Sequence, residues 1–183
     1  MSTDWKQTTA WHLTPWSSIL LLFALLAPGA SAQAEEQRFV FERAEMGLPF
    51  RITLYAEDAS IAKAAAAAAF ERIAILNGIL SDYDPDSELS RLSRSSGQGK
   101  TIPVSTVLWQ MLKRSQTLAE RTQGAFDITV GPLVNTWRRA RRKKELPSEE
   151  LLREMKSRVG YRSLRLDAQS QSVELLKPEM RLD

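Results

Sequence analysis

The stretch that most limits what this chain can fold into is Gly124-Ala-Phe-Asp-Ile-Thr-Val-Gly-Pro-Leu133. It sets one carboxylate, Asp127, between a small flexible start, Gly124-Ala125, and a Gly131-Pro132 stop. Glycine has no side chain to obstruct approach, so such a segment lets backbone come close to a ligand and holds one acid in a fixed direction. Asp127 emerges between Ala125, Phe126 and Ile128. Burying a carboxylate without a partner is costly, so it needs either hydrogen bonds or a ligand. Two readings stay open on the residues alone: a structural acid bonding loop amides, and an acid that touches a ligand.

The pattern leading into this loop is helical. Ser105 caps a helix whose inner face is read as Leu108, Met111, Leu112, Ser115, Leu118 and Ala119, and Gly124 closes it in a left-handed cap. An earlier helix starts at Asp58 or Ser60 and runs to about Leu80, with Ile61, Ala65, Ala69, Ile73, Leu76 and Leu80 on one face. Ser81–Pro85 ends it, and Ser87 caps a short helix through Leu92. Phe39-Val-Phe41 and Phe50–Tyr55 read as strands, with Met46-Gly-Leu-Pro49 expected to break them apart because Pro49 cannot donate to a ladder. Pro147-Ser148 opens a helix carrying Leu151, Leu152 and Met155, and Ser163–Asp167 pairs with Ser172–Leu176 as a hairpin. Helices and strands alternate irregularly and no Gly-x-Gly-x-x-Gly follows a strand, so the expected class is α+β rather than a doubly wound parallel sheet.

The first 32 residues do not read as fold. Lys6 precedes the apolar run Ile19–Ala27, and Ala30-Ser-Ala32 gives the small-residue pattern of a cleavage site. Nine apolar residues are far short of the roughly 20 that span a bilayer, so 1–32 is expected to be a signal peptide, 33–37 a linker, and 38–183 one domain in the periplasm. An uncleaved inner-membrane anchor is the alternative. The chain has no cysteine, which excludes disulfides, thiolate metal sites and cysteine nucleophiles. Its single histidine, His12, falls in the leader, which excludes a Ser-His-Asp triad and histidine metal sites in the mature chain. Chemistry must then rest on carboxylates, hydroxyls and backbone, with a metal ion; phosphoryl transfer is run in that way. The net charge of +3 assigns no nucleic-acid partner. Arg138-Arg-Ala-Arg-Arg-Lys-Lys144 nevertheless packs six cations into seven residues. It is either a solvated loop or helix end, or a strip for anionic lipid, a phosphate-rich ligand or an acidic partner.

The Gly124–Leu133 run stands in order with Met46-Gly47, Ser81-Asp-Tyr83, Asp86-Ser-Glu-Leu-Ser90 and Leu133-Val-Asn-Thr-Trp137. Over roughly residues 38–183 this resembles the N-terminal part of the ApbE family of FAD:protein FMN transferases. The resemblance implies an α/β sandwich with FAD as substrate in a cleft, and it implies Met46, Tyr83, Ala125, Phe126, Asp127 and Asp183 as FAD contacts. It also implies Mg²⁺ and transfer of FMN from FAD to a Ser or Thr hydroxyl of an acceptor flavoprotein, with release of AMP. The family's metal ligands have no counterpart in these residues, so Mg²⁺ ligands and a catalytic base are not assigned. A catalytically inactive FAD-binding or scaffold protein of the cell envelope is the alternative.

Overall fold

The structure is a computed structural model that describes residues 35–183; the leader, His12 and the start of the linker lie outside the described residues. Two antiparallel strands, β1 (Gln37–Glu45) and β2 (Leu48–Ala56), come first, followed by the helices α1 (Ala59–Leu80) and α2 (Glu88–Arg94). A short β3 (Ile102–Pro103), α3 (Thr106–Arg121), α4 (Gly131–Lys143) and α5 (Glu149–Ser157) lead to the hairpin β4 (Leu164–Asp167) and β5 (Ser172–Leu175). The strands form two small sheets, β1-β2 and β3-β5-β4, with every strand pair antiparallel. The fold is α+β, as expected.

Short-range capping fixes the helix starts. Asp58, not Ser60, caps α1 by accepting from the Ser60 and Ile61 amides. Ser87, Ser105 and Ser148 each bond the third residue onward and start α2, α3 and α5. A core of Leu89, Leu92, Leu108, Trp109, Leu112 and Leu175, closed by Met180 and Leu182, lies between α2, α3 and the three-stranded sheet. Removing a side chain as buried as Leu112, 1% exposed, typically costs about 2–5 kcal/mol.

Four expectations are corrected. Met46-Gly47 does not break β1 from β2. Both residues have positive φ, 53° and 73°, the backbone of a two-residue hairpin turn whose twist suits the flanking strands. The ladder runs through Glu45↔Leu48 and Ala44↔Pro49. Antiparallel pairs alternate between bonded and non-bonded. With Glu45 and Leu48 closing the turn, Pro49 falls at a non-bonded pair, where its missing N–H costs the ladder nothing. The buried face of α1 is Ala62, Ala66 and Phe70, not Ile61, Ala65 and Ala69. Six consecutive alanines carry no phase, and the bulk of Phe70 sets it. On α3, Trp109 is buried while Met111 and Leu118 are 45% and 41% exposed. Finally, Gly131-Pro132 is not a stop but the first turn of α4. Proline's fixed φ suits that turn, and the amide it lacks has no intrahelical acceptor there.

Candidate functional site

The Asp127 loop is anchored at both ends by glycines that have physical work to do. At the end of α3 the Gln123 amide bonds Glu120 O at 3.1 Å and the Gly124 amide bonds Ala119 O at 2.8 Å. This is the paired bond pattern of a left-handed helix cap, with φ of 53° at Gln123 and 87° at Gly124. A Cβ on Gly124 would also lie 3.2 Å from the Tyr161 ring. At the far end, a Cβ on Gly131 would fall 2.6 Å from Arg181 O. Only glycine admits the extended segment 181–183 so close to the start of α4.

That segment is laced to the loop by backbone. Val130 and Arg181 form a parallel bridge, the Gly131 amide bonds Arg181 O at 3.2 Å, and the Asp183 amide bonds Ile128 O at 2.9 Å. Extended backbone alternates its side chains, so Met180 and Leu182 enter the core while Arg181 and Asp183 turn to the opposite face.

Asp127 itself is engaged by its own chain. One carboxylate oxygen accepts from the Thr129 amide at 2.8 Å and the Thr129 hydroxyl at 2.7 Å; the other accepts from the Tyr161 amide at 2.9 Å. Thr129 is fully buried, and its Oγ1 in turn accepts from the Gly160 amide at 2.8 Å. The knot ties the loop to the turn before β4. Ala125 and Phe126, by contrast, are exposed, Phe126 at 38%.

A second cluster forms around Arg138, two turns into α4. Its guanidinium pairs with Asp82, bonds the Asp183 carboxylate at 3.0 Å, and lies 4.1 Å from the centre of the Tyr83 ring. The loop after α1 presents Asp82 and Tyr83, with Ser81 Oγ accepting from the Tyr83 and Asp84 amides at 3.2 and 3.1 Å. Arg181 donates to Asp82 O from the other side. Burial pushes the Asp183 carboxyl above its ordinary value near 3.8, Asp82 beside it adds to the rise, and Arg138 opposes it. The hydrogen bond to Asp82 holds the Arg138 guanidinium above its own ordinary value.

The structure thus joins Tyr83 to Asp183 through Arg138, and Asp183 to the Asp127 loop through backbone. Met46 stands apart at the tip of the β1-β2 hairpin, 52% exposed. Arg43 lies over Phe70, midway along α1, at 4.7 Å, so the tip points toward the end of α1 from which the Tyr83 loop departs. Asp82, Arg138, Thr129 and Tyr161 were not singled out from sequence. Arg138 was hidden in the basic run, which is the second half of α4. Only a 3.6-residue count separates the stripe Asn135, Arg138 and Arg142 from the opposite stripe of Trp137 and Arg141.

The residues fit a metal ion poorly. Among the described residues no group of three His, Asp or Glu side chains is placed to hold one. The two acids that do meet, Asp82 and Asp183, are spanned by Arg138, whose charge repels a cation.

The family model that matches is that of the ApbE family, over residues 46–183. An FAD:protein FMN transferase from Chlamydia muridarum is 28% identical over 171 residues, covering 93% of this chain and 52% of that protein. One from Haemophilus influenzae is 30% identical, covering 90% of this chain and 49% of that protein. The solved flavin transferase ApbE from Vibrio cholerae shares the fold with a TM-score of 0.69 at 24% identity, covering 81% of this chain and 48% of that chain. The chain therefore spans about half the length of the curated relatives it matches.

Proposed function

The chain belongs to the ApbE family, and from that premise we propose that it supplies the flavin-holding part of an FAD:protein FMN transferase. The support that carries this is one convergence. Tyr83 and Asp183, far apart in sequence, meet at Arg138, and the backbone joins Asp183 to the Asp127 loop. Tyr83 is 76% exposed and Phe126 is 38% exposed. Exposed aromatics beside fixed polar groups suit a flat heteroaromatic ring, which gains from stacking what a solvated aromatic does not.

In the proposed reaction a Ser or Thr hydroxyl of an acceptor flavoprotein attacks the FMN phosphorus of FAD. A phosphorus–oxygen bond forms to the acceptor, the bond to the AMP phosphate breaks, and the hydroxyl proton leaves with it. Such transfer depends on positioning and charge neutralisation more than on covalent catalysis. In this chain the Asp127 knot would hold the loop against segment 181–183, and Tyr83 would hold the flavin or adenine ring. Magnesium is implied by the family resemblance, but the described residues do not fit it.

Flavin-fluorescence titration tests the site. Tyr83→Ala is expected to weaken FAD at least fivefold, corresponding to about 1 kcal/mol of ring contact. Arg114→Gln with Arg121→Gln, exposed on α3, is expected to change it little. Equal binding by Tyr83→Ala and the parent would place the flavin elsewhere. Export to the periplasm is proposed from the leader alone, and N-terminal sequencing of the envelope fraction is expected to give a start near Gln33; a cytoplasmic protein retaining Met1 would remove it.

A further inference from the structure

We propose that this protein carries a separate oxyanion site of the phosphate or pyrophosphate class in the arginine-lined cleft between α4, α5 and segment 179–181. The cleft has a volume of about 360 Å³, and Arg138, Arg139, Arg142, Arg158 and Arg181 line it against a single acid, Glu179. These guanidinia come from three separate segments of the chain. A run of cations that merely solvates a helix face would not gather partners from elsewhere in the fold.

Compensation inside the cleft is uneven. Arg138 is matched by Asp82 and Asp183, and Arg158 by Glu154 and by Glu179 at 2.8 Å. Arg139, Arg142 and Arg181 take part in no ion pair among the described residues. Arg181 Nε is moreover buried without a hydrogen-bond acceptor. A buried charged donor left unpaired is unfavourable, and an anion relieves it. The planar fork of a guanidinium matches the oxygens of a phosphate, and several forks around one concavity select a compact, multiply charged anion. A flat lipid surface would instead engage cations spread along one outer stripe. In α4, Trp137 and Arg141 lie on a different stripe from the cleft residues Arg138, Arg139 and Arg142. The site does not rest on the flavin assignment.

The test uses inorganic pyrophosphate as probe, with binding to the full chain followed by calorimetry. Saturable binding is expected. Arg139→Gln with Arg142→Gln should weaken it ten- to hundredfold, the range expected for losing charged hydrogen bonds to an anion. Arg114→Gln with Arg121→Gln removes the same charge from exposed positions on α3 and should change affinity less than threefold. Displacement of pyrophosphate by FAD would make the cleft part of the flavin site and overturn a separate oxyanion site. Persistence of pyrophosphate binding in excess FAD would identify a free phosphate compound. Equal losses in the two double variants would reduce the effect to diffuse charge and overturn the site. So would retention on mixed phosphatidylcholine and phosphatidylserine vesicles without saturable pyrophosphate binding.

Discussion

Asp127 and Asp183 flank the same short backbone ladder, yet the chain treats them in opposite ways. Asp127 receives three hydrogen bonds from Thr129 and Tyr161 and meets no other carboxylate among them. Asp183 sits beside a second acid, Asp82, with Arg138 between them, and its carboxyl titrates above the ordinary range through burial and that neighbour. One acid is spent on holding the loop. The other is held in a balance that a new charge nearby can tip. A residue that matches a binding motif can thus serve the site through architecture, while its partner across the ladder remains responsive.

The largest break in this contrast is Asp127→Ala. It strands the Thr129 hydroxyl and the Thr129 and Tyr161 amides, and it loosens Thr129 from the Gly160 turn. A loss of about 3 kcal/mol is expected, a large share of the roughly 5–15 kcal/mol by which a domain is stable. Urea unfolding measures it. Asp127→Asn keeps an acceptor for Thr129 but can turn an amide donor toward the Tyr161 N–H, and should fall between the alanine variant and the parent. If Asp127→Ala unfolds like the parent, the knot is not what holds the loop, and Asp127 is free to act on a ligand directly.

Arg138→Gln comes next and sharpens the other half. It leaves Asp82 and Asp183 without their shared cation and frees the Tyr83 ring. Because Arg138 keeps 24% of its side chain exposed, water and salt screen much of the loss, and about 1 kcal/mol is expected. The effect should shrink in high salt, whereas that of Asp127→Ala should not, since its bonds are partly buried and uncharged on the donor side. Equal salt dependence for the two variants would erase the distinction drawn between the two acids.

How much of this was legible in the sequence follows the range of the forces involved. Ser87, Ser105 and Ser148 were readable as caps because a cap is settled within three residues. The β4-β5 hairpin was readable for the same reason. The phase of α1 was not, because residues 64–69 are all alanine and the deciding contact belongs to Phe70. Pro49 misled because its missing donor matters only at a bonded pair, and the Met46-Gly47 turn fixes which pairs those are. At the site, the Asp127 loop stood out by local pattern, and Tyr83 entered through the family resemblance. Arg138 did not: its meaning depends on Asp82 and Asp183, 56 and 45 residues away. The glycine at 131 was read with Pro132 as a stop, whereas it is required by the close passage of Arg181.

The smallest effect concerns pH, and it tests the balance around Asp183 most directly. The groups facing this carboxyl are Asp82, Arg138 and, through the Asp82 loop, Arg181. Its folded pKa is raised from about 3.8, so the folded state binds the proton more tightly than the unfolded chain. The resulting stability is fully present below that value and is lost as pH rises through the folded pKa. Asp183→Asn, which mimics the protonated acid, should match the parent at the acid end. It should become the more stable of the two as pH climbs past the raised value, by well under 1 kcal/mol, since Arg138 offsets part of the repulsion. Asp82→Asn should flatten the difference by removing the neighbouring charge. Unfolding curves from pH 3 to 7 for the three proteins decide the sign. If Asp183→Asn instead loses stability as pH rises, the ion pair with Arg138 outweighs burial and Asp82 together, and Asp183 belongs with Asp127 as an acid committed to the fold.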